Sequence, residues 1–473
     1  MSQPYYPVAP LRTRSHSGLA IASFAIGLLA LLICWFPFAG YLGLMAVLFA
    51  IIAFASHQVP GQEVDKVLAI PGLILGVLAT VAAVLWTILV LMMPHFSCPH
   101  VYAWDGQRYR LDADALSGSL FQGGESDDLM RLEHLQPADG RYRVRVADDL
   151  QELDHIDTVA LRVVDHPQGS EALPMPDGTM VAVGGAQAPS SATDGQGRDV
   201  LGRVRAADGD AFVSSVEDFA PDPNTDPREL VTLELPRPAD GDGRAILVLR
   251  AHNTPFAAEA FGQYLANMGP GLGPLLRWAQ TNRSYAYRQR LDDEMHRLGL
   301  LLGVAVWAEG KWSPAAELKP LGPAILRTVA MPIELPPEGG ATVRVRLAMT
   351  PLFWEIDQAA LGRELPGAAQ EQRVRPRSAQ LGDGRDALGL LAQADASRVT
   401  LRPGEGVALE FDVPAAPAAG LERTIALDIR GYYEFEIGGH RWLDALAVMA
   451  HRSGRDSLPR YALRLARQRA HSR

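Results

Sequence analysis

Ile156-Asp157-Thr158-Val159-Ala160-Leu161 and Ile356-Asp357-Gln358-Ala359-Ala360-Leu361 are the two segments that decide the fold of this chain. Each is a short, mainly apolar run with one aspartate at its second position, and short apolar runs between turn residues are typical of β-strands. The same run occurs twice in a 473-residue chain. Self-similarity over such a distance indicates an internal duplication.

Four further pairs of matching segments flank these runs in the same order. They are Trp104-Asp105-Gly106 with Trp307-Ala308-Glu309-Gly310, Arg143–Ala147 with Arg344–Ala348, Gly197–Gly202 with Gly384–Gly389, and Val231–Glu234 with Val407–Glu410. The separations shrink steadily along the chain, as they do when one copy has lost loop residues. We therefore predict two duplicated β-sandwich-like units, 98–256 and 301–437.

Two segments next to these units have a different character. Residues 257–300 carry Phe261, Tyr264, Leu265 and Met268 at helical spacing, which predicts a helical insert between the copies. Residues 438–473 predict a C-terminal helix over Leu443–Met449 and then an arginine-rich tail that is solvated and partly frayed. A contact between that tail and anionic lipid is the alternative interpretation.

The N-terminal part is apolar and almost free of charge. Gly18–Ser56 contains no charged residue and is about twice as long as one helix needs to cross a hydrocarbon core of ~30 Å. Two passes there and a third over Val67–Met93 predict a three-helix membrane anchor at 18–93, after a tail at 1–17. Small residues at a spacing of four, Ser23 with Gly27 and Gly72 with Gly76, predict close helix–helix association.

The distribution of positive charge predicts which side each part faces. Arg12 and Arg14 place the tail in the cytoplasm, because basic residues near span ends stay on that side. Three passes then deliver the large domain to the opposite side. We therefore expect a multi-pass protein of the inner (cytoplasmic) membrane whose large domain is periplasmic.

Both parts resemble bacterial families without an assigned activity. The Leu-Ala-Ile motifs at Leu19–Ser23 with Gly27 and at Leu68–Gly72 with Gly76 resemble a widespread family of short membrane domains. The polar part resembles an uncharacterised extracytoplasmic family through Cys98-Pro99, Trp104-Asp105-Gly106, Leu132-Glu133-His134-Leu135 and Val163-Val164-Asp165-His166-Pro167. The two resemblances imply an anchor and an envelope location, and they imply no chemistry.

Composition excludes some classes of protein. The formal net charge is −10, which argues against a general nucleic-acid binder because such a protein needs a basic face for the phosphates. The two cysteines, Cys34 and Cys98, are too few for a disulfide framework. The expected partners are instead a lipid bilayer and an envelope protein or polysaccharide.

Motifs for catalysis or cofactor binding are absent from the sequence. There is no His-Glu-x-x-His, no Cys-x-x-Cys and no Gly-x-Ser-x-Gly, so no catalytic residue and no cofactor is predicted. The best candidates for a metal site are imidazoles and carboxylates that lie close together in the sequence: His134, His155, Asp157, Asp165 and His166. Asp157 recurs in the second copy as Asp357 whereas His155 becomes Glu355, which favours a fold-supporting role for the aspartate.

These observations lead to one expected function and two alternatives. We expect a membrane-anchored, non-enzymatic envelope protein whose paired sandwiches bind a polysaccharide or a protein. The alternatives are a hydrolase of an envelope polymer and an accessory subunit of a membrane assembly. An exposed aromatic row on one sheet favours glycan binding, whereas an acidic pair in a concave pocket favours an enzyme.

Overall fold

The computed structural model of the protein forms two compact units, residues 1–94 and residues 95–473. The structure describes residues 18–32, 39–55, 66–91, 98–119, 125–149, 152–219, 227–239, 243–266, 295–296, 299–337, 340–395, 397–435 and 458–471.

Three helices make up the described part of the first unit: α1 (Gly18–Leu32), α2 (Ala39–Ala55) and α3 (Lys66–Leu91). They pack closely at small residues. The Ser23 hydroxyl donates to the Ala46 carbonyl oxygen at 2.8 Å, and a Cβ added at Gly72 would lie 2.3 Å from Ser23 Oγ. A Cβ at Gly76 would lie 2.8 Å from the Gly43 carbonyl oxygen, and one at Gly27 would lie 3.0 Å from that of Gly72. Any larger residue at Gly72 or Gly76 must push the helices apart.

The predicted three-span membrane anchor is wrong, because none of the helices that the structure describes is both long and apolar enough to cross a bilayer. The helices α1 and α2 have 15 and 17 residues, roughly 22 and 26 Å, which is shorter than the hydrocarbon core. This finding also contradicts the predicted multi-pass location in the inner membrane and the periplasmic placement derived from it.

The second unit is mainly β, with twenty described strands. In the first half they are β1 (His100–Trp104), β2 (Tyr109–Asp114), β3 (Ser126–Arg131), β4 (Arg141–Ala147), β5 (Glu152–Pro167), β6 (Ser170–Pro174), β7 (Met180–Gln187), β8 (Ser191–Asp194), β9 (Glu229–Pro236) and β10 (Arg244–Asn253). In the second half they are β11 (Leu302–Ala308), β12 (Lys311–Leu318), β13 (Arg327–Glu334), β14 (Thr342–Met349), β15 (Trp354–Glu364), β16 (Gln370–Val374), β17 (Ser378–Leu381), β18 (Val399–Leu401), β19 (Gly406–Asp412) and β20 (Leu421–Phe435). The described helices are α4 (Leu201–Val204), α5 (Pro255–Ala266) and α6 (Leu458–His471).

These strands form four sheets that pack as two sandwiches. Sheet I has the order β17-β19-β4-β1-β2, and sheet II has the order β16-β5-β20-β3 with β18 paired to β5. Their inward residues share one core, which includes Val144, Ile156, Leu161, Phe411 and Leu427. Sheet III (β13-β10-β15-β7-β6) and sheet IV (β12-β11-β14-β9-β8) share another core. Sheets I and II are therefore the first sandwich, and sheets III and IV are the second.

The strand order shows that each sequence copy contributes to both sandwiches. In sheet I, β4 of the first copy pairs with β19 of the second, so that Arg143 lies opposite Glu410. In sheet IV, β14 of the second copy pairs with β9 of the first, so that Arg344 lies opposite Glu234. The second sandwich is consequently formed by strands that are continuous in sequence, β6 to β15. The first sandwich is formed by β1–β5 and is completed by β16–β20, which follow the second sandwich in the sequence.

Ion pairs connect the two sandwiches. Arg327 of β13 is only 7% exposed, and its Nη2 donates to Asp128 Oδ1 of β3 at 2.8 Å. Arg250 of β10 donates to Glu133 at 2.7 Å. A third apolar cluster lies on sheet III and contains Leu173, Val181, Val183, Ile246, Val248, Ala330 and Ala360. The two sandwiches therefore make one compact unit.

The arginine-rich C-terminal segment folds as α6, so it is not frayed over Leu458–His471. Leu458 and Ala462 enter the core of the second sandwich, and Arg467 donates to the Phe219 carbonyl oxygen at 2.7 Å. Arg469 forms an ion pair with Glu259 of α5. The helix predicted at 443–449 lies outside the described residues, as does most of the predicted insert 257–300 beyond α5.

Candidate functional site

Aromatic rings and guanidinium groups pack against one another on the outer side of sheet IV. Trp307 of β11 lies opposite Trp312 of β12, with ring centroids 5.1 Å apart in an edge-to-face arrangement. The Arg344 guanidinium lies 5.1 Å from the Trp307 ring and 5.5 Å from the Trp312 ring. The Arg346 guanidinium lies 4.0 Å from the Trp312 ring centroid. We call these four residues the tryptophan–arginine face.

Strand alternation places these side chains on one side of the sheet. Val343, Val345 and Leu347 of β14 are buried in the core, so the residues between them, Arg344 and Arg346, point outward. The sequence Arg-Val-Arg therefore places two guanidinium groups, two residues apart in the strand, on the outer side of the sheet. The tryptophans meet because they are a directly opposite pair of the β11–β12 ladder.

The first sandwich carries a related but neutralised arrangement on sheet I. Trp104 and Tyr109 are a directly opposite pair with ring centroids 5.4 Å apart, and Arg143 lies 6.0 Å from the Trp104 ring. Arg143 is also within 3.3 Å of a carboxylate oxygen of both Glu410 and Asp139. Its charge is therefore compensated by the protein itself.

The two arginines of sheet IV differ in this respect. Among the described residues, no carboxylate lies within ion-pair distance of Arg344 or Arg346, although Glu234 is the ladder neighbour of Arg344. Burial and then the Arg344 charge lower the pKa of Arg346. A guanidinium that stacks on a ring keeps its N–H edge available for a planar anion. Within the described part of the chain, the face therefore offers two guanidinium groups that have no paired carboxylate and lie on an aromatic base.

A cavity of ≈ 80 Å³ lies where the two sandwiches meet. Its walls are mainly apolar and include Phe261 of α5, Met295, Leu300 and Phe353. Its polar end is formed by Cys98, Ser117 and Tyr433. We call this space the junction cavity.

Buried carboxyl groups stand behind the polar end of the junction cavity. Asp114 is fully buried, and its Oδ2 accepts hydrogen bonds from the Ala324 and Ile325 amides at 2.8 and 3.2 Å. Its Oδ1 has no hydrogen bond within the described structure and lies 3.6 Å from His100 Nε2. Asp154 is 1% exposed, and neither of its oxygens has a hydrogen-bond partner among the described residues.

Burial dominates the acid–base properties of this region. It raises the pKa of Asp154 well above the ordinary value, and the charges of Asp148 and Asp149 raise that pKa further. Burial likewise raises the pKa of Asp114. The pKa of the Cys98 thiol and that of the Tyr433 hydroxyl are raised well above their ordinary values by burial and then by neighbouring acidic groups. These groups therefore favour their protonated forms.

The second sandwich has apolar side chains where the first has these acids. Trp354 and Asp154 are each the second residue before the shared Ile-Asp pair, so they occupy equivalent positions in the two copies. In the same way, Leu352 of the second copy corresponds to Glu152 of the first. This difference between the two copies was a signal available in the sequence. The comparison of His155 with Glu355 does not reveal this difference.

The structure gives the five candidate metal ligands separate protein partners. His134 Nδ1 lies 2.6 Å from Asp112 Oδ1, and His155 stacks on Tyr432. Asp157 accepts a hydrogen bond from the Asp395 amide at 3.1 Å, and Asp165 forms an ion pair with Arg423 at 2.7 Å. His166 lies between the hydroxyls of Ser170 and Thr424, at 3.1 and 2.9 Å. Over the described part of the chain, no group of three or more His, Cys, Asp or Glu residues is placed to hold a metal ion. The five residues are thus not brought together.

The repeated aspartates occupy equivalent β-bulges. The β20–β5 ladder shifts register at Arg430/Gly431, opposite Asp157, and the β10–β15 ladder shifts at Arg250/Ala251, opposite Asp357. Arg430 Nε lies 3.4 Å from Asp157 Oδ2, and Arg250 Nε lies 3.2 Å from Asp357 Oδ2. This geometry agrees with the fold-supporting role inferred from the recurrence of the aspartate.

Comparisons with known proteins contribute little to the assignment. No family model matches the chain, and no curated protein matches it. A solved structure that does match is the GH31 α-xylosidase Xac1773 from Xanthomonas citri, at 10% identity over 74% of this chain and 26% of that protein. The chain thus spans about a quarter of that enzyme, and a TM-score of 0.14 carries no argument about fold or function.

Proposed function

We propose that the chain is a non-enzymatic binding protein that recognises an acidic polysaccharide through its tryptophan–arginine face. The observation that carries this proposal is the position of Arg346, 4.0 Å above the Trp312 ring, with Arg344 beside it and no carboxylate paired to either within the described residues. Trp307 and Trp312 are partly exposed on the outer side of this sheet, and surface aromatic rings favour glycan binding over the other expected functions.

The chemistry of the face fits a sugar acid. A guanidinium presents parallel N–H groups that match the two oxygens of a carboxylate. The indole edges beside it supply apolar area for the C–H groups of a pyranose ring. A polymer is favoured over a single sugar because sheet I repeats the aromatic pair at Trp104 and Tyr109.

Charge density separates this ligand from a nucleic acid. DNA carries one negative charge per ~1.7 Å of axis, and a protein needs many basic contacts to bind it. This chain has a net charge of −10, so a dense polyanion is repelled by the molecule as a whole. A sugar polymer with widely spaced carboxylates meets less repulsion at a local pair of arginines.

The hydrolase alternative gains no support from the buried acids. Glycosidases need two carboxyl groups about 5–9.5 Å apart that both reach the scissile bond. Asp114 and Asp154 are 0% and 1% exposed, which leaves them closed to a polymer.

Affinity electrophoresis and titration calorimetry with polygalacturonate test the proposal, with dextran as the neutral polymer. We expect binding to polygalacturonate that weakens with salt, and a loss of at least tenfold in affinity for Arg346→Gln and for Trp312→Ala. Leu390→Ala is the matched control, because it removes an exposed apolar side chain elsewhere and should leave binding unchanged. Equal retention by dextran, or full affinity in Arg346→Gln, would show that the face is not the binding site.

A further inference from the structure

We propose that the tryptophan–arginine face selects polysaccharides whose carboxylates are spaced along the chain, so that a neutral sugar residue lies beside each acidic one. This inference rests on the proposed function, because it specifies the ligand of the same face. The observations that carry it concern the side chains that continue the outer side of sheet IV from β14 across β9 and β8.

Hydroxyl groups and one carboxylate make up this continuation of the face. In sheet IV, β9 lies next to β14, and β8 lies next to β9. Alternate residues of both strands are buried, so the residues between them point outward. These outward residues include Thr232 and Glu234 of β9 and Ser191 and Thr193 of β8. We call these four residues the β9–β8 strip.

The register of the sheet places hydroxyl groups in line with one arginine of the face. Arg346 lies directly opposite Thr232, and Thr232 lies directly opposite Thr193. Neighbouring strands are about 4.8 Å apart, so this row extends roughly 10 Å from β14 to β8. A hydroxyl both donates and accepts hydrogen bonds, as the hydroxyl groups of a neutral sugar do. A sugar residue next to the one held at Arg346 therefore meets groups that suit a neutral ring.

A negative charge lies in the neighbouring row. Arg344 lies directly opposite Glu234, but its guanidinium group packs 5.1 Å from the Trp307 ring and 5.5 Å from the Trp312 ring, on the side of β11 and β12. Both residues are described by the structure, and no ion pair joins them. The Glu234 carboxylate therefore keeps its charge on the β9 side of the face. A second carboxylate of the ligand is disfavoured there, because like charges at close range repel.

The strip also lacks a cation that could offset this repulsion. Among the outward residues that the structure describes on β8 and β9, none is basic. The positive charge of the face is thus confined to Arg344 and Arg346 of β14, and the adjoining surface accepts only uncharged groups. A polymer with a carboxylate on every residue must place one of them beside Glu234. A polymer with spaced carboxylates avoids that contact.

Titration calorimetry of the full chain with three galacturonate polymers of equal length tests this selectivity. One is polygalacturonate, the second has alternate carboxyl groups methyl-esterified on average, and the third is fully esterified, so the sugar backbone is the same in all three. We expect the partly esterified polymer to bind about fivefold more tightly than polygalacturonate, because it avoids one close pair of like charges. The fully esterified polymer should show no binding, because it offers no carboxylate to the arginines.

Variants of the strip assign the selectivity to its residues. Glu234→Gln should raise the affinity for polygalacturonate about fivefold and leave that for the partly esterified polymer nearly unchanged. Glu364→Gln is the matched control, because it removes the same charge from an exposed position on β15 of sheet III and should alter neither affinity. Thr232→Val should weaken binding of the partly esterified polymer about threefold, because it removes a hydroxyl from the strip.

The outcomes separate this inference from the proposed function. Equal affinity for polygalacturonate and the partly esterified polymer, unchanged in Glu234→Gln, would overturn the selectivity for spaced carboxylates. If Arg346→Gln still weakened binding of both polymers in that case, the proposed function would stand without this inference. Failure of both acidic polymers to bind the wild-type chain would instead refute the proposed function, and the inference with it.

Discussion

Asp154 occupies a position in β5 whose counterpart in β15 is the fully buried Trp354. An ionised carboxylate at this depth is costly when no hydrogen bond compensates for lost water. Because burial raises the pKa of Asp154, the folded protein holds this proton more tightly than the unfolded chain does. The stabilising contribution of this proton to the free energy of unfolding is present below the pKa that Asp154 has in the unfolded chain. It is lost as the pH rises through the higher pKa of the folded protein.

This linkage predicts a pH-dependent effect of Asp154→Asn. The variant cannot ionise, so at pH 8 it should be more stable than the wild type by about 1–3 kcal/mol, and the difference should shrink as pH falls towards 4. Urea unfolding followed by tryptophan fluorescence measures both values. Asp127→Asn removes an exposed carboxyl from β3 and serves as the control. A stability difference that is the same at both pH values would contradict the buried, protonated state.

Arg327 is the second residue that has large consequences for stability. It is 7% exposed, and besides Asp128 it donates to the Leu129 and Asp114 carbonyl oxygens at 3.0 and 3.2 Å. Removal of one partner of a buried ion pair typically costs 3–5 kcal/mol because the other charge stays buried.

We therefore expect Arg327→Met to destabilise the protein by about 3–5 kcal/mol in chemical unfolding. The double variant Arg327→Met with Asp128→Asn should lose clearly less than the sum of the single variants, because no uncompensated charge remains. Exactly additive losses would mean that the two groups do not interact. Arg385→Met, whose partner Asp383 is exposed, should change stability by less than about 1 kcal/mol.

At the scale of elements, apolar alternation was sufficient to predict strands. The Arg-Val-Arg runs at Arg143 and Arg344 are strands with the valines inside, and the repeated Ile-Asp segments are the central strands β5 and β15. The charge-free N-terminal stretch was misleading, because a lack of charge says little about where a helix ends. The described helices α1 and α2 are too short for the spans that were predicted there.

A glycine beside the first bulge gives a test at this scale. A Cβ added at Gly431 of β20 would lie 2.2 Å from the His155 carbonyl oxygen, a backbone atom that cannot move without disturbing β5. Gly431→Ala should therefore destabilise the protein by at least about 2 kcal/mol in urea unfolding. Gly389→Ala has open space around it and should be neutral within about 1 kcal/mol. Equal stability of the two variants would contradict the described bulge.

The candidate sites were only partly accessible to sequence reasoning. The tryptophans and arginines were recognised as repeated residues, but their stacking depends on the β11–β12 and β11–β14 registers, which no local pattern specifies. The predicted metal ligands lie close in sequence, yet strand alternation and different loops give each its own partner. The junction cavity combines residues from Cys98 to Tyr433, so only the tertiary fold creates it.

At the scale of the whole molecule, the exchange of strands between the copies was hidden from the sequence. Arg143 lies opposite Glu410 in the structure, but Glu234 occupies the equivalent place in the other copy and carries the same charge. Either partner strand offers β4 the same alternation and the same cross-strand pair. Self-similar halves are therefore ambiguous about which half completes which sandwich.

Cross-linking of engineered cysteines in a Cys34→Ala, Cys98→Ala background measures this arrangement directly. Arg143→Cys with Glu410→Cys joins directly opposite residues of β4 and β19, so we predict rapid disulfide formation under mild oxidation, detected by mass spectrometry of the proteolysed product. Arg143→Cys with Glu234→Cys should give no intramolecular disulfide. Efficient closure of the Arg143–Glu234 pair and none of the Arg143–Glu410 pair would contradict the exchanged sandwiches on which the junction cavity depends.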